Sequence, residues 1–376
     1  MYPELQFFPL IIHATFARLG TFPLLKEGRG KIGVKQFCLL FVTCIAPSSL
    51  SNGPTTSNIP EKTFLLNLPL WISNGFFFYF SSRKYIAGAV CKSTAKLNGK
   101  VVVITGGNTG IGKETAKDLA QRGARVIIAC RDMTKGETAA SEIRTQTGNQ
   151  QVIVKKLDLA DTKSIRVFAE NFLKEEKELH ILINNAGVML CPYSKTADDF
   201  EMHFGVNHLG HFLLTFLLLE HLKKSVPARI VIVSSLAHMG SRINFSDLQN
   251  EKFYNRNLAY GHSKLANLLF TQELARRLQG TVVTVNALHP GIVYTDLIRH
   301  SILLKLACKM CTFFLKTPQE GARTSVYCAV AEELESVSGK YFVNCQPAYI
   351  APQGRNEATA RKLWSVSCEL LGIQWD

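Results

Sequence analysis

The stretch KVVVITGGNTGIG, residues 100–112, decides the fold. Its first six residues form a β-branched, apolar run typical of a buried strand, and glycines follow at 106, 110 and 112. A pattern typical of a helix then runs from Gly110 to Arg122. The stretch therefore predicts a strand, a tight glycine turn and a helix, which together open a parallel α/β sheet.

The same alternation continues along the chain. Further strands are predicted at 125–130, 151–156, 180–184, 229–234, 281–288 and 339–344, and further helices at 134–147, 162–175, 197–223, 258–280 and 317–333. Strands that alternate with helices of about ten or more residues indicate right-handed βαβ units. We therefore expect one α/β domain of the Rossmann type at 96–376, with a doubly wound parallel sheet of about seven strands.

Composition narrows the class of protein. The chain is 47% apolar and 19% charged, which excludes a disordered or collagen-like protein, and ten cysteines in 376 residues are too sparse for a disulfide framework. Cys308 and Cys311 form a C-x-x-C pair without further ligands at zinc spacing, so we expect no metal. The net charge of +14 is spread along the chain without long blocks of like charge. We therefore expect no nucleic-acid partner.

The positive charge is densest at the amino terminus, where residues 1–95 hold nine Lys or Arg and three Asp or Glu. The uncharged segment 64–82 is long enough to cross a bilayer and predicts a membrane anchor. Cations such as Arg83 and Lys84 follow it, so the positive-inside rule places the domain on the cytosolic side. The alternative is an amphipathic or buried helix packed on the domain. Residues 1–63 form an extension whose role the sequence does not indicate.

The glycine turn predicts a dinucleotide site. Gly106 permits the tight turn, Gly110 lets a pyrophosphate approach the backbone, and Gly112 lets the helix pack closely on the strand. The phosphates would then lie at the positive end of the helix. A glycine cluster alone is weak evidence, but its position between a strand and a helix supports the prediction.

The end of the second predicted strand indicates which dinucleotide binds. An acid there binds a ribose 2′-hydroxyl, whereas an arginine accepts a 2′-phosphate. Here the uncharged Cys130 is followed by Arg131, whose guanidinium fits a phosphate, so we expect NADP(H). The competing interpretation gives the ribose to Asp132 and leaves Arg131 in solvent.

A Tyr-x-x-x-Lys pair predicts the chemistry. Tyr260 and Lys264 share one face of a predicted helix, and Ser235 lies upstream at the end of a strand. Tyr260 would exchange a proton with a carbonyl or alcohol oxygen, and Ser235 would bind and polarise that oxygen. Lys264 would lower the pKa of Tyr260 and bind the nicotinamide ribose. Ser234 is the alternative serine, but strand alternation turns it to the other face.

Together these residues resemble the short-chain dehydrogenase/reductase superfamily over residues 96–376. The resemblance implies that Asn207, in FGVNHLGH, is a fourth catalytic residue that holds a proton-relay water. It also implies a set of cofactor contacts besides Tyr260, Lys264 and Arg131. These are Gly106, Asn108, Thr109, Gly110, Ile111 and Gly112 in the glycine turn, Asp158 and Leu159, Asn185, Ala186 and Gly187, and Pro290, Gly291 and Thr295.

Within that superfamily, the stretches KLDLADTKSIR (156–166) and HSKLANLLFTQELARRL (262–278) are similar to the microsomal NADP-dependent retinol dehydrogenases of types 11 and 12. This similarity implies reduction of all-trans and cis retinals with NADPH at the cytosolic face of the endoplasmic reticulum membrane. The alternatives are a reductase of lipid-derived medium-chain aldehydes or of steroids, and a non-catalytic NADP-binding interaction protein.

Two further patterns concern the surroundings of the site. Residues 297–315 are apolar with interspersed cations, which predicts a basic amphipathic lid that meets a lipophilic substrate and membrane lipid. The alternatives for this segment are an interface in a homo-oligomer and an ordinary core helix. The histidines near the motifs lack metal-ligand spacing and are predicted to pack or form hydrogen bonds, namely His208, His211, His238 and His262.

Overall fold

The structure is a computed structural model that describes residues 83–295, 297 and 314–375. The extension 1–63, the predicted anchor 64–82, Cys308 and Cys311, and nearly all of the predicted lid lie outside these residues.

One sheet organises the described chain. Its strands are β1 (Val101–Thr105), β2 (Arg125–Cys130), β3 (Val152–Lys156), β4 (Ile181–Asn184), β5 (Ala228–Val233), β6 (Val283–His289), β7 (Tyr341–Val343) and β8 (Gln346–Pro347). They lie in the order β3-β2-β1-β4-β5-β6-β7-β8. Strands β1 to β7 are parallel, and β8 pairs with β7 in the antiparallel sense. The predicted parallel α/β sheet is confirmed, and β8 is an addition that we did not predict.

Seven helices of at least two turns connect the described strands and follow the last of them. They are α1 (Gly110–Gln121), α2 (Met133–Thr147), α3 (Thr162–Glu175), α4 (Gly210–Lys224), α5 (Arg256–Arg277), α6 (Pro318–Val330) and α7 (Glu357–Leu371). A short helix (Met202–Phe204) and a π-helical turn (Gly205–Leu209) lead directly into α4. Short 3₁₀ helices occur at Leu236–Gly240, Glu332–Leu334 and Pro352–Arg355.

Alternation along the strands buries both faces of the sheet. On β1, Val101 and Val103 belong to a core packed under α3, α4, α5 and α7. Val102 and Ile104 point the other way, into a core packed under α1, α2 and α6. A parallel sheet covered on both faces needs strands that are apolar throughout, which is why these strands are visible in the sequence.

The helix that contains α4 is a core element of the domain. Met202–Lys224 is long and apolar enough to cross a membrane by composition, yet 83% of its most apolar window is buried inside the protein. No other helix within the described residues meets the same criterion. Its apolar character is therefore explained by packing between the sheet and the neighbouring helices.

The carboxyl terminus closes over α4 and α5. The Trp375 ring lies 4.8 Å from the Phe212 ring and 5.1 Å from the Phe216 ring, centroid to centroid. The Trp364 indole donates a hydrogen bond to the Trp375 carbonyl at 3.1 Å. The Arg277 guanidinium stacks 4.3 Å from the Trp364 ring, which adds a cation–π contact. This aromatic cluster covers the α4 and α5 face with residues of the same chain.

Residues 83–95 run along the outside of α1 and α6. The Arg323 guanidinium donates to the carbonyls of Ala87 and Gly88, at 3.1 and 3.3 Å. Arg122 donates to the carbonyls of Ser93 and Ala95, both at 3.0 Å. Two guanidinium groups therefore fasten this segment to the helices before it enters β1.

Candidate active site

The crevice for chemistry lies at the carboxyl edge of the sheet. From β1 the chain adds β2 and then β3 on one side of the sheet, and it then returns to add β4 on the other side of β1. The strand order therefore switches direction between β1 and β4. Parallel α/β sheets bind their ligands at such a switch point. Most of the predicted site residues follow the carboxyl ends of strands or begin the helices behind them, whereas Asn207 lies in the π-helical turn and Lys264 in the third turn of α5.

The glycine turn has the geometry that an approaching phosphate needs. Gly106 and Gly110 have φ values of 65° and 55°, a conformation that disfavours other residues. A Cβ on Gly112 would lie 2.4 Å from the Gly106 carbonyl oxygen, so this position requires glycine for close packing. Asn108, Thr109 and Ile111 complete the turn and begin α1, whose first turn holds no acid. A pyrophosphate fits this cradle at the helix amino terminus.

The ends of β2 and β3 form the next part of the crevice. Arg131 follows β2 and is exposed, whereas the Asp132 carboxylate accepts the Lys135 backbone N–H at 3.0 Å and caps α2. Asp158 and Leu159 follow β3, and the Asp158 carboxylate accepts the Ala160 N–H at 3.0 Å. Arg131 is thus available for a ligand, while Asp132 already has a structural role.

The turn after β4 is tied to the end of β1. The Thr105 hydroxyl accepts the backbone N–H groups of Asn185 and Ala186, both at 2.9 Å. The Asn185 amide in turn donates to the Thr105 carbonyl at 2.8 Å. A Cβ on Gly187 would lie 3.6 Å from the Lys264 ammonium. Residues 185–187, which are predicted to contact the cofactor, therefore lie between the glycine turn and Lys264.

The turn after β6 reaches the same place from the other side. A Cβ on Gly110 would lie 3.2 Å from the Thr295 methyl group, so Thr295 touches the glycine turn. Gly291 has a φ of 98°, which gives the turn that begins at Pro290 a conformation suited to glycine. The Lys316 N–H donates to the Ile292 carbonyl at 2.9 Å and holds this turn beside α6.

Ser235 and Tyr260 meet across the crevice. Ser235 follows β5 and is half-buried, and Tyr260 is half-buried on the second turn of α5. Burial raises the pKa of Tyr260 to about 12, while a hydrogen bond with the Ser235 side chain acts in the opposite direction. Ser234 points elsewhere, because its hydroxyl is buried and donates to the Lys264 carbonyl at 2.8 Å.

Lys264 is buried behind Tyr260. Its ammonium donates to the Val233 carbonyl at 2.9 Å and lies 5.7 Å from the centre of the Tyr260 ring. Burial lowers the pKa of Lys264 to about 8. Burial is the larger influence on the pKa of Tyr260, and the opposing influence comes from the hydrogen bond with Ser235 rather than from Lys264. A ligand charge beside the pair is what remains to favour the phenolate.

Asn207 lies in the π-helical turn and fastens the β4 turn to α5. Its amide exchanges two hydrogen bonds with the Val188 backbone, at 2.8 and 3.0 Å, and donates to the Ser263 hydroxyl at 2.9 Å. The Asn207 carboxamide is thus fully engaged in structure. Its main-chain carbonyl accepts a further hydrogen bond, from His211 at 3.1 Å.

That carbonyl belongs to a network that the sequence did not indicate. The His211 Nδ1–H donates to the Asn207 carbonyl at 3.1 Å, so His211 Nε2 must accept the Thr105 hydroxyl at 2.8 Å. Burial lowers the pKa of His211 to about 4, which keeps the ring neutral. His211 thereby links Asn207 to the end of β1. Its only signal in the sequence is its position four residues after Asn207.

The other histidines near the motifs pack or form hydrogen bonds, as predicted. His208 Nε2 forms a hydrogen bond with the Ser367 hydroxyl at 3.0 Å, and His238 Nδ1 donates to the Ser235 carbonyl at 2.7 Å. The His262 ring stacks on Phe204 with centroids 5.4 Å apart. Within the described residues, no three His, Cys, Asp or Glu side chains lie together as metal ligands.

Known proteins resemble this chain closely. A family model described as short chain dehydrogenase matches residues 100–302. Human retinol dehydrogenase 12 is 66% identical over 296 residues, which cover 79% of this chain and 94% of that protein. Human retinol dehydrogenase 11 is 65% identical over 294 residues, which cover 78% of this chain and 92% of that protein.

Solved structures share the fold. An uncharacterized protein from Mycobacterium paratuberculosis matches with 38% identity and a TM-score of 0.63, over 77% of this chain and 99% of that one. A short chain dehydrogenase from Shigella flexneri complexed with NADP matches with 25% identity and a TM-score of 0.54. The match covers 68% of this chain and 100% of that one. From the glycine turn to the Ser235–Tyr260 pair, this chain belongs to the short chain dehydrogenase family of NAD(P)(H)-dependent oxidoreductases.

Proposed function

We propose that the protein is an NADP(H)-dependent retinol dehydrogenase that reduces all-trans or cis retinal. The observation that carries the proposal is the Ser235–Tyr260 pair, with buried Lys264 behind it, at the mouth of a dinucleotide crevice. Relatives that carry the name retinol dehydrogenase are 65–66% identical over nearly their whole length, which supports the retinoid as substrate.

The proposed roles follow from the positions of the side chains. Bound NADPH supplies the hydride to the carbonyl carbon. The Tyr260 hydroxyl gives its proton to the carbonyl oxygen, and the Ser235 hydroxyl donates a hydrogen bond to the same oxygen. The Lys264 ammonium, 5.7 Å from the Tyr260 ring, favours the phenolate that remains. The Asn207 carbonyl holds the water through which Tyr260 is reprotonated.

The crevice offers a contact for each part of the cofactor. Pyrophosphate would lie on the glycine turn, with Gly106, Asn108, Thr109, Gly110, Ile111 and Gly112. Asp158 and Leu159 would contact the adenine. Its ribose would meet Asn185, Ala186 and Gly187, and the nicotinamide would meet Lys264, Pro290, Gly291 and Thr295.

NADP(H) is proposed over NAD(H) because of the end of β2. Asp132 is engaged as the cap of α2, whereas Arg131 is exposed and adjacent to the crevice. Arg131→Ala is therefore expected to raise the KM for NADPH by about tenfold or more, since a hydrogen bond to a charged group contributes about 1.5–3 kcal/mol. The KM for NADH should stay the same. Steady-state kinetics with both cofactors provide the measurement.

A matched control separates this bond from general charge. Lys135 is also a cation near β2, and its side chain is 67% exposed. Lys135→Ala should leave the KM for NADPH unchanged. If Arg131→Ala kept the original KM for NADPH, the Asp132 interpretation would be preferred.

The substrate is tested with a carbonyl panel. Membranes that contain the full-length protein and NADPH are expected to convert all-trans-retinal to retinol, as measured by chromatography. Nonanal and a ketosteroid serve as the competing substrates. Turnover of either one without turnover of retinal would move the proposal to a lipid-aldehyde or steroid reductase, and binding of NADPH without any turnover would indicate an interaction protein.

We also propose a location, on the strength of the uncharged segment 64–82 and the cations that follow it. This segment would anchor the protein in the endoplasmic reticulum membrane with the catalytic domain facing the cytosol. A basic lid at 297–315 would meet membrane lipid and the lipophilic substrate.

A further inference from the structure

The described chain begins at the edge of the sheet where the crevice opens. The Arg83 guanidinium bonds the Glu320 carboxylate at 2.6 Å. Glu320 lies in the first turn of α6, which starts at the carboxyl edge because it connects the end of β6 to the start of parallel β7. A Cβ on the adjacent Gly321 would lie 3.1 Å from the Ile111 side chain, in the glycine turn's helix. Arg83 is therefore close to the mouth of the crevice.

From Arg83 the chain runs away from that edge. The bonds of Arg323 and Arg122 hold residues 87–95 along α6 and α1, and the chain reaches the opposite edge where β1 begins. The uncharged segment 64–82 ends immediately before Arg83. If that segment enters a bilayer, the bilayer lies at the carboxyl edge of the sheet.

Exposed apolar side chains surround the crevice at this same edge. Each follows the carboxyl end of a strand or lies in the first turn of α5, which starts there. Phe253 is the most exposed at 67%. We call this set the carboxyl-edge rim, and its members are Tyr193, Met239, Phe253, Leu258 and Ile292.

Cations accompany the rim. Arg242 and Lys252 are exposed on the connection between β5 and α5, and Arg256 is exposed at the first position of α5. In the described chain none of these three cations forms an ion pair. Two acids lie between them in sequence. Glu251 is paired with Lys195 at 2.8 Å, and the Asp247 carboxylate accepts the backbone N–H of Glu251 at 2.8 Å. Exposed apolar side chains together with cations that form no ion pair are typical of a surface that lies on anionic lipid.

We propose that the carboxyl-edge rim rests on the membrane, so that the crevice opens towards the lipid and a lipophilic carbonyl enters it from the bilayer. The path of residues 83–95, the exposure of the rim and its free cations support this orientation independently. The contact with lipid rests on the proposed membrane anchor, and the entry of substrate rests on the proposed retinal reduction.

Photocross-linking tests the contact. The full-length protein would carry p-benzoylphenylalanine in place of Phe253 and be reconstituted in vesicles of phosphatidylcholine and phosphatidylserine. Illumination is expected to couple this position to phospholipid. The control places the same group at Val282, which is 56% exposed but precedes β6 at the opposite edge. Equal coupling at both positions, or none at Phe253, would overturn the proposal.

Kinetics test the entry of substrate. Phe253→Asp should raise the KM for all-trans-retinal delivered in vesicles by about tenfold, because it removes one buried apolar contact with lipid. The KM for a short water-soluble aldehyde should stay the same, and Val282→Asp should change neither. A change in both KM values would refute direct entry from lipid. Absence of retinal turnover in the unmodified protein, with lipid coupling intact, would contradict the proposed function alone.

Discussion

Tyr260→Phe is expected to abolish reduction of all-trans-retinal, with kcat lowered by about 10³-fold or more. The change removes only the hydroxyl that would protonate the carbonyl oxygen, and general acid catalysis typically accelerates a reaction by about 10²–10⁴-fold. Binding of NADPH should be kept, because the ring remains on α5 with Lys264 behind it. Single-turnover measurements and fluorescence titration with NADPH would separate the two effects.

Tyr254→Phe is the matched control. The Tyr254 hydroxyl donates to the Cys191 carbonyl at 2.6 Å, and its ring lies near His203, as the Tyr260 ring does. Removing this hydroxyl costs one hydrogen bond, about 1 kcal/mol of stability, but no proton donor. Turnover should therefore be kept. Equal turnover in the two variants would show that Tyr260 is not the acid.

Acid is expected to destabilise the fold steeply below about pH 6.5. Burial lowers the pKa of His208 to about 3 and the pKa values of His211 and His262 to about 4. In the unfolded chain these three histidines become protonated near pH 6.5, whereas in the folded chain they stay neutral down to about pH 4. The contribution of these three histidines to stability is thus complete above pH 6.5 and falls with pH through that window, by up to about 4 kcal/mol per pH unit. Urea unfolding between pH 8 and pH 5 would measure the slope.

His208→Phe tests the assignment. The His208 ring lies among Phe204, Phe212 and Phe270, so an aromatic ring of similar shape fits there without a titrating nitrogen. The slope of stability against pH should then fall by the share of one histidine, up to about 1.4 kcal/mol per pH unit. An unchanged slope in this variant would mean that other groups cause the acid sensitivity.

Much of the fold was predictable because buried parallel strands are continuous apolar runs. The predicted strand at 125–130 coincides with β2, and the helix predicted at 258–280 corresponds to Arg256–Arg277. The helix predicted at 197–223 begins only at Met202, because Glu201 accepts the N–H groups of His203 and Phe204 and starts the helix there. The two-residue strand β8 is too short to leave a pattern.

The site was predictable in its parts but not in its connections. Strand alternation, continued past β5, predicts that Ser234 and Ser235 face opposite ways, and the hydrogen bond from the Ser234 hydroxyl to the Lys264 carbonyl agrees with that prediction. The bond from Thr105 to His211 joins residues that are distant in sequence. It depends on the π-helical turn Gly205–Leu209, whose extra residue changes the register of α4. Apolar periodicity does not reveal such a turn.

Trp375 covers the core through contacts between residues that are far apart in sequence. Its ring lies against Phe212 and Phe216 on α4, and several strands and helices separate it from them along the chain. Contacts of such high sequence separation form late in folding, because the entropy of closing the intervening chain is lost before the contact is gained. The apolar face of α4 is therefore expected to stay exposed in partly folded chains, where it can contact other chains and promote aggregation.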